Sequence, residues 1–320
     1  MDQTLFSEDG FHEIIDGTTR QFNHILRKYD GFHLFFCGLI FIELLSLLLL
    51  LPFFLKSALL ALSLALFFLT LFVYFILRVY FQAHKTEQFR RLVANYGASC
   101  QEKIDVKEGA SNKHTLLSHA YIKFAEFLTN RERSLYHPPN WLDLFSGALA
   151  RFSQWMHAKD FYQMREMLLV QAVKENIFLV KNEPMHVEAH ASLANAYIHL
   201  SSFYRTAKEL EEEPNNNKFC TATKRAVEEF KIIQECAPSD PWVHAQLAYS
   251  YHDLQMPAEE IQEYEILLHL DPEDLDTLFK LGTLYFEQGM NVQGLRTYEQ
   301  LLQLDPVRSA ELIKYYGQSE

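Results

Sequence analysis

Pro238, Pro272 and Pro306 lie 34 residues apart, and the residues between them repeat in register. Leu281-Gly282, Tyr285, Gly294, Tyr298, Leu301 and Pro306 align with Leu247-Ala248, Tyr251, Glu260, Tyr264, Leu267 and Pro272. One unit upstream, Leu193-Ala194 and Tyr197 match again, followed by Ala226, Phe230, Ile233 and Pro238. A fixed period of this length describes a helical hairpin that stacks on copies of itself, not a single closed core. Leu281 and Tyr285 are four apart, so they share a helix face and can wedge between neighbouring helices. Gly282, Ala248 and Ala194 allow close helix approach. Each proline falls where a second helix must stop, because proline cannot continue the hydrogen-bond ladder.

These residues resemble the tetratricopeptide repeat (TPR) family, whose unit is helix, turn, helix with L-G-x-x-Y, a small residue, an aromatic and a closing proline. The resemblance implies an all-α fold, a TPR-type α-solenoid with three repeats over residues 187–308. Two departures stand out. Glu260 occupies a slot where the family carries a small residue, and an insertion of about 201–220 lengthens the first repeat into a hairpin with an acidic tip around Glu211. On loop-tip grounds that tip reads first as a plain solvated extension with no specific role. Upstream, residues 114–186 hold a degenerate repeat. Ala172, Leu179 and Pro184 fit its second helix, and Trp141–Met156 its first, without the signature. A helix over about Leu116–Leu128 stands at the front of this region. Residues 309–320, with Leu312 and Ile313, form a capping helix and tail.

A second signal sets the rest of the fold class, a transmembrane helical hairpin ahead of the repeats. Leu34–Leu55 is apolar apart from Glu43 and Ser46, and Ala58–Tyr80 apart from Ser63, Thr70 and Arg78. Each run reaches the roughly 20 residues that cross a bilayer as a helix. Residues 31–81 therefore read as a two-helix hairpin, with a turn at Lys56-Ser57 and Pro52 beside it. A polar segment, 1–30, precedes it, and a juxtamembrane helix and linker, 82–113, follow. Pro138-Pro139 marks a turn, with Asn140 as a cap. Arg20, Arg27 and Lys28 flank the first span, and Arg78, Lys85, Arg90 and Arg91 the second. The positive-inside rule then gives a two-pass protein with both termini cytoplasmic. A re-entrant wedge in one leaflet is the alternative.

Charge separates the halves. Residues 1–136 hold 14 basic against 13 acidic side chains, and residues 137–320 hold 15 against 28. An acidic repeat region is repelled by nucleic acid and by anionic headgroups, so it should stand away from both.

No enzymatic motif is present: no phosphate-cradling glycine loop, no nucleophile elbow, no kinase signature. Cys37, Cys100, Cys220 and Cys236 form no Cys-x-x-Cys pair, which fits reduced thiols. His186 and His190 are four apart, but His190 and His244 share one repeat slot, so they read as packing residues; no metal site and no cofactor are expected. Glu43, a carboxylate at membrane depth, reads as a catalytic group or as a side chain protonated or bonded to Ser63 or Thr70.

The resemblance implies a groove lined by first helices. Carried over residue by residue, its candidates include Asn195, His199, Trp242, Tyr249, His252, Asp253, Phe279, Phe286 and Glu287, with Asp276 at its border. Ala191, Ala245 and Phe279 stand where a carboxylate-clamping lysine belongs, so the expected partner is an apolar or basic protein or peptide. The chain thus reads as a membrane-anchored scaffold without catalysis. Two alternatives accompany it: a secreted protein resembling the chlamydial inclusion membrane proteins, with repeats for host-protein binding, and a membrane enzyme using Glu43.

Overall fold

A computed structural model describes residues 8–54, 58–105, 113–135, 146–208 and 214–317. The turn at Lys56-Ser57, the linker over 106–112, Pro138, Pro139, Asn140 and Trp141, and the tip at 209–213 lie outside the described residues. Within them the chain is helical and holds no strand. The helices are α1 (Glu8–Phe54), α2 (Ala58–Asp105), α3 (Lys113–Phe127), α4 (Ser146–Asn182), α5 (Val187–Lys208), α6 (Pro214–Cys236), α7 (Pro241–Asp253), α8 (Pro257–Leu270), α9 (Leu275–Glu287), α10 (Asn291–Leu304) and α11 (Pro306–Leu312). The described residues also form 3-10 turns at Arg131–Ser134 and Ile313–Tyr315. The structure divides into two compact units. One takes the residues up to Lys113 together with Lys123–Leu168, the other His114–Ile122 with Leu169 onward.

In the first unit α1 and α2 are long helices with an apolar and a polar part. Both are long and apolar enough to cross a membrane. Their large apolar side chains point outward: Leu34 is 80% exposed, Leu48 68% and Phe72 62%. Polar groups pair across the helices instead. The Thr70 hydroxyl donates to Glu43 Oε1 at 2.8 Å, while His33 Nδ1 lies 3.2 Å from the Tyr74 hydroxyl. Ser63 donates to its own helix, at the Leu60 carbonyl, so Thr70 is the partner of Glu43. Beyond the apolar part an aromatic core forms. Phe22 packs on Phe89 at 5.1 Å and edge-on to Phe161 of α4 at 5.0 Å, and Tyr96 packs on Phe124 at 4.7 Å.

The second unit is a row of helical hairpins. In α7/α8 and α9/α10 the turn uses one left-handed residue at the same repeat position, Gln255 (φ 57°) and Gly289 (φ 71°). The next amide reaches back five residues, Met256 N–H to the Tyr251 carbonyl and Met290 N–H to the Tyr285 carbonyl. This is the helix-stop pattern that satisfies the last carbonyls. The prolines act as expected: α6, α8 and α10 end at Cys236, Leu270 and Leu304. Leu247 and Tyr251 bury against Phe230 and Val243, and Leu281 and Tyr285 against Ala248, Ile261 and Tyr264. Each such leucine contributes about 1.5–3 kcal/mol by leaving water. Leu312 of α11 closes the row over Gly282, where an added Cβ would come within 2.7 Å of it.

The upstream repeat is built differently from the expectation. Residues 146–168 of α4 belong to the first unit, so the described part of the expected first helix, residues 146–156, does not supply it. That helix is α3. Leu117-Ser118 and Tyr121 carry the same spacing as Leu193-Ala194 and Tyr197, and the partner helix is the later part of α4. Asn176 donates to the Ser118 hydroxyl at 2.8 Å and to the Ser192 carbonyl of α5 at 3.0 Å. The repeat is interrupted: the end of α3 and the first part of α4, within residues 123–168, fold with the other unit.

Candidate functional site

One slot of the repeat holds a histidine three residues before the signature leucine. His190 of α5 lies 2.6 Å from Glu229 Oε2 through Nδ1 and 3.0 Å from the Pro184 carbonyl through Nε2. His244 of α7 repeats this with Glu263 at 2.6 Å and the Pro238 carbonyl at 3.0 Å. His114 of α3 stands in the same slot, 3.0 Å from Glu175. In the last repeat the slot changes on both helices at once, to buried Leu278 and Thr297. For His190 both ring nitrogens face acceptors, which favours the doubly protonated ring. Burial lowers the His190 pKa, but the hydrogen bond to Glu229, the Pro184 carbonyl and the Glu229 charge outweigh it, and the net direction is upward. These histidines tie first helix to second helix. His186, in contrast, is exposed, and no cluster able to hold a metal ion occurs among the described residues.

The first helices expose a polar and aromatic face, and the structure brings part of the expected set together there. Trp242 and Tyr249 are each 46% exposed, two turns apart on α7. Trp242 is fixed by an N-terminal cap, its amide donating to Asp240, and by edge-on packing on Phe230 at 5.6 Å. Lys280 of α9 donates to the Tyr249 hydroxyl at 3.0 Å, with its ammonium 4.7 Å from the ring centre. Arg205 of α5 pairs with Asp253 at 2.9 Å, and Arg308 of α11 pairs with Asp276. A ladder of side chains thus links α5 to α7, α7 to α9 and α9 to α11. Arg205, Lys280 and Arg308 were not among the sequence candidates. Each meets its partner across 31 to 48 residues, so no local pattern announces them.

Asn195 and Glu287 are exposed, while His199 is half-buried on α5. Phe279 is half-buried, edge-on to Tyr315 at 6.4 Å. Phe286 is a correction: it is 0% exposed and belongs to the core with Leu278, Leu301 and Leu312. Its ring occupies the space above Gly294, where an added Cβ would come within 2.5 Å of it. The same pair of slots one repeat earlier holds His252 and Glu260. There the buried glutamate fills the small-residue position, and His252 reaches it at 3.2 Å from the exposed side. Burial raises the Glu260 pKa, partly offset by His252. Whether this first-helix residue turns inward is therefore set by the size of its neighbour on the second helix.

The first unit holds its own buried polar cluster. His157 of α4, 2% exposed, sits between Asp30 of α1 at 3.4 Å and Asp160 at 3.5 Å, and Asp160 pairs with Lys85 of α2 at 2.6 Å. Burial of the ring is outweighed by the two carboxylates, and the His157 pKa rises to about 8.

No protein-family model matches the chain, and no curated protein matches it in sequence. Solved structures of helical-repeat proteins are similar to it at low identity. They include TTC0263, a TPR protein of Thermus thermophilus, at 16% identity and TM-score 0.34, covering 72% of this chain and 99% of that one. The MamA RS-1 ArsTM double mutant is 14% identical at TM-score 0.34, covering 69% and 96%. A monomeric IFIT1 mutant with Gppp-AAAA is 12% identical at TM-score 0.36, covering 70% and 58%.

Proposed function

We propose that this chain is a membrane-anchored scaffold that binds a protein or peptide partner on the exposed face of its first helices. The hairpin of α1 and α2 crosses the bilayer twice and leaves both termini in the cytoplasm. Tethering raises the local concentration of the partner, which needs no catalysis. The observation that carries the reading is the pairing, in one chain, of an outward-facing apolar hairpin with a repeat row exposing Trp242 and Tyr249. Exposed aromatics held by neighbours give large contact area at low entropic cost, and such residues dominate binding energies. Asp253 and Asp276 are neutralised by Arg205 and Arg308, which removes two of the acidic groups that would select a basic partner. An apolar peptide therefore suits the face better than a basic one. The excess of acidic residues after 136 disfavours a phosphate backbone.

The test uses the full chain in vesicles. Capture of a partner should weaken by about 2 kcal/mol or more in Trp242→Ala with Tyr249→Ala, with helicity and melting unchanged. Normal capture by that variant would move the interaction elsewhere. For topology, an impermeant thiol reagent should reach His12→Cys and native Cys236 from the same side; labelling from opposite sides would break the hairpin reading.

A further inference from the structure

The start of α4 presents a stripe that the repeats and the hairpin leave unexplained. Arg151, Phe152, Trp155 and Lys159 are exposed and follow helical spacing, so they share one face. Trp155 is 77% exposed and Phe152 47%, their rings 6.2 Å apart. The chain from Ser146 to Lys159 contains no acidic residue. The opposite face of the same turns is buried and fastened: Ser153 donates to the Glu132 carbonyl at 2.5 Å, His157 meets Asp30, and Asp160 meets Lys85.

Those fastenings fix where the stripe lies along the hairpin. Asp30 precedes Leu34 by four residues, about 6 Å of helix, and Lys85 follows Tyr80 by five, about 7.5 Å. A headgroup layer is roughly 5–7 Å deep on each side of the hydrocarbon. Further along α4, Phe161 packs on Phe22, which is farther from the apolar run than Asp30. The helix therefore recedes from the apolar run as its numbering rises, and Phe152 and Trp155 come before the His157 contact, on the near side. Tyr80, 62% exposed, marks the end of the apolar surface at that level.

We propose that this face of α4 is a membrane-interface anchor, seated beside the hairpin, with Phe152 and Trp155 in the headgroup–acyl boundary and Arg151 and Lys159 on lipid phosphates. The proposal rests on the hairpin being in the bilayer. Its occupant is the lipid surface because the stripe continues the hairpin's apolar surface at headgroup depth and carries only positive charge among its ionisable groups. Tryptophan with flanking arginine and lysine is the composition that favours such a boundary. The stripe would hold the polar part of the first unit at a fixed tilt on the bilayer.

The experiment uses the full chain with Trp141→Phe and Trp242→Phe, so that Trp155 alone reports, in phosphatidylcholine vesicles with and without phosphatidylglycerol. Brominated lipids should quench Trp155, and its emission should lie to the blue of water-exposed tryptophan. Adding Arg151→Glu and Lys159→Glu should cut that quenching about two-fold or more in the anionic vesicles. A second reporter, Phe68→Trp with all three native tryptophans replaced by phenylalanine, reads the hairpin itself. Quenching of that reporter without quenching of Trp155 overturns the anchor and leaves the hairpin standing. Quenching of neither overturns both. A blue-shifted Trp155 that bromolipids do not reach means that protein covers the stripe, which also overturns the proposal.

Discussion

The apolar part of the hairpin and the repeats are built inside out with respect to each other. In the repeats, Leu247, Leu278 and Leu281 are buried, and the exposed face carries ion pairs and hydrogen bonds. In the hairpin, Leu34, Leu48 and Phe72 face outward, and the polar contacts, Glu43 with Thr70 and His33 with Tyr74, lie between the helices. On the membrane-anchored reading proposed above, the same side chains are sorted in opposite senses because the two regions satisfy different solvents. Where water surrounds the fold, apolar area is withdrawn and polar atoms can remain outside. Where lipid surrounds it, polar atoms must find partners within the protein.

Matched charge insertions test that contrast most severely. Leu281→Asp should destabilise the repeats by several kcal/mol, about 4, because it buries an unpaired carboxylate. Leu48→Asp should leave the repeats' melting unchanged yet oppose membrane insertion by about 3 kcal/mol, read in a translocation assay. Equal behaviour of the two would mean that both units sit in water. Next in size is the histidine slot. His244→Leu alone leaves Glu263 buried beside an apolar group and should cost about 3 kcal/mol. Adding Glu263→Thr reproduces the pair that nature uses as Leu278 and Thr297, and should return most of the loss. A double mutant no better than the single one would show that the two positions do not act as a unit.

A smaller effect distinguishes the buried cluster of the first unit. Its His157 pKa is about 8 in the fold against 6.5 ordinarily, so the imidazolium is favoured by folding. The stabilisation is full below pH 6.5 and is lost as pH rises through 8; the shift corresponds to about 2 kcal/mol. Thermal scans of the full chain across that window should show a loss that His157→Gln removes. An unchanged slope in that variant would assign the pH dependence to another group. Smallest of all, Thr70→Val should cost about 0.6 kcal/mol in detergent, the size of a typical interhelical hydrogen bond within a membrane. A much larger loss would make Glu43 more than a packing carboxylate.

What the sequence determined by itself was whatever depends on neighbours in the chain. The 34-residue period of Pro238, Pro272 and Pro306 marks where second helices stop, and the apolar runs around Leu34–Leu55 and Ala58–Tyr80 are long enough to span. Both are legible because helix breaking and hydrophobic length are local properties. Of the candidate face, Trp242 and Tyr249 were legible as exposed because a first helix presents one fixed stripe. The tertiary structure alone decided the rest. Phe286 turned inward because Gly294, on the facing helix, leaves room for its ring, whereas His252 stays exposed against Glu260. Arg205, Lys280 and Arg308 joined the face through partners on other repeats. The second helix of the upstream repeat was legible at Ala172, Leu179 and Pro184, but its first helix was not, although Leu117, Ser118 and Tyr121 carry the spacing, because an inserted segment that belongs to the hairpin unit lies between the two. His114 and Glu175 are 61 residues apart and only 3.0 Å from each other. A contact of that kind is set by how helices stack in space, which no local spacing records.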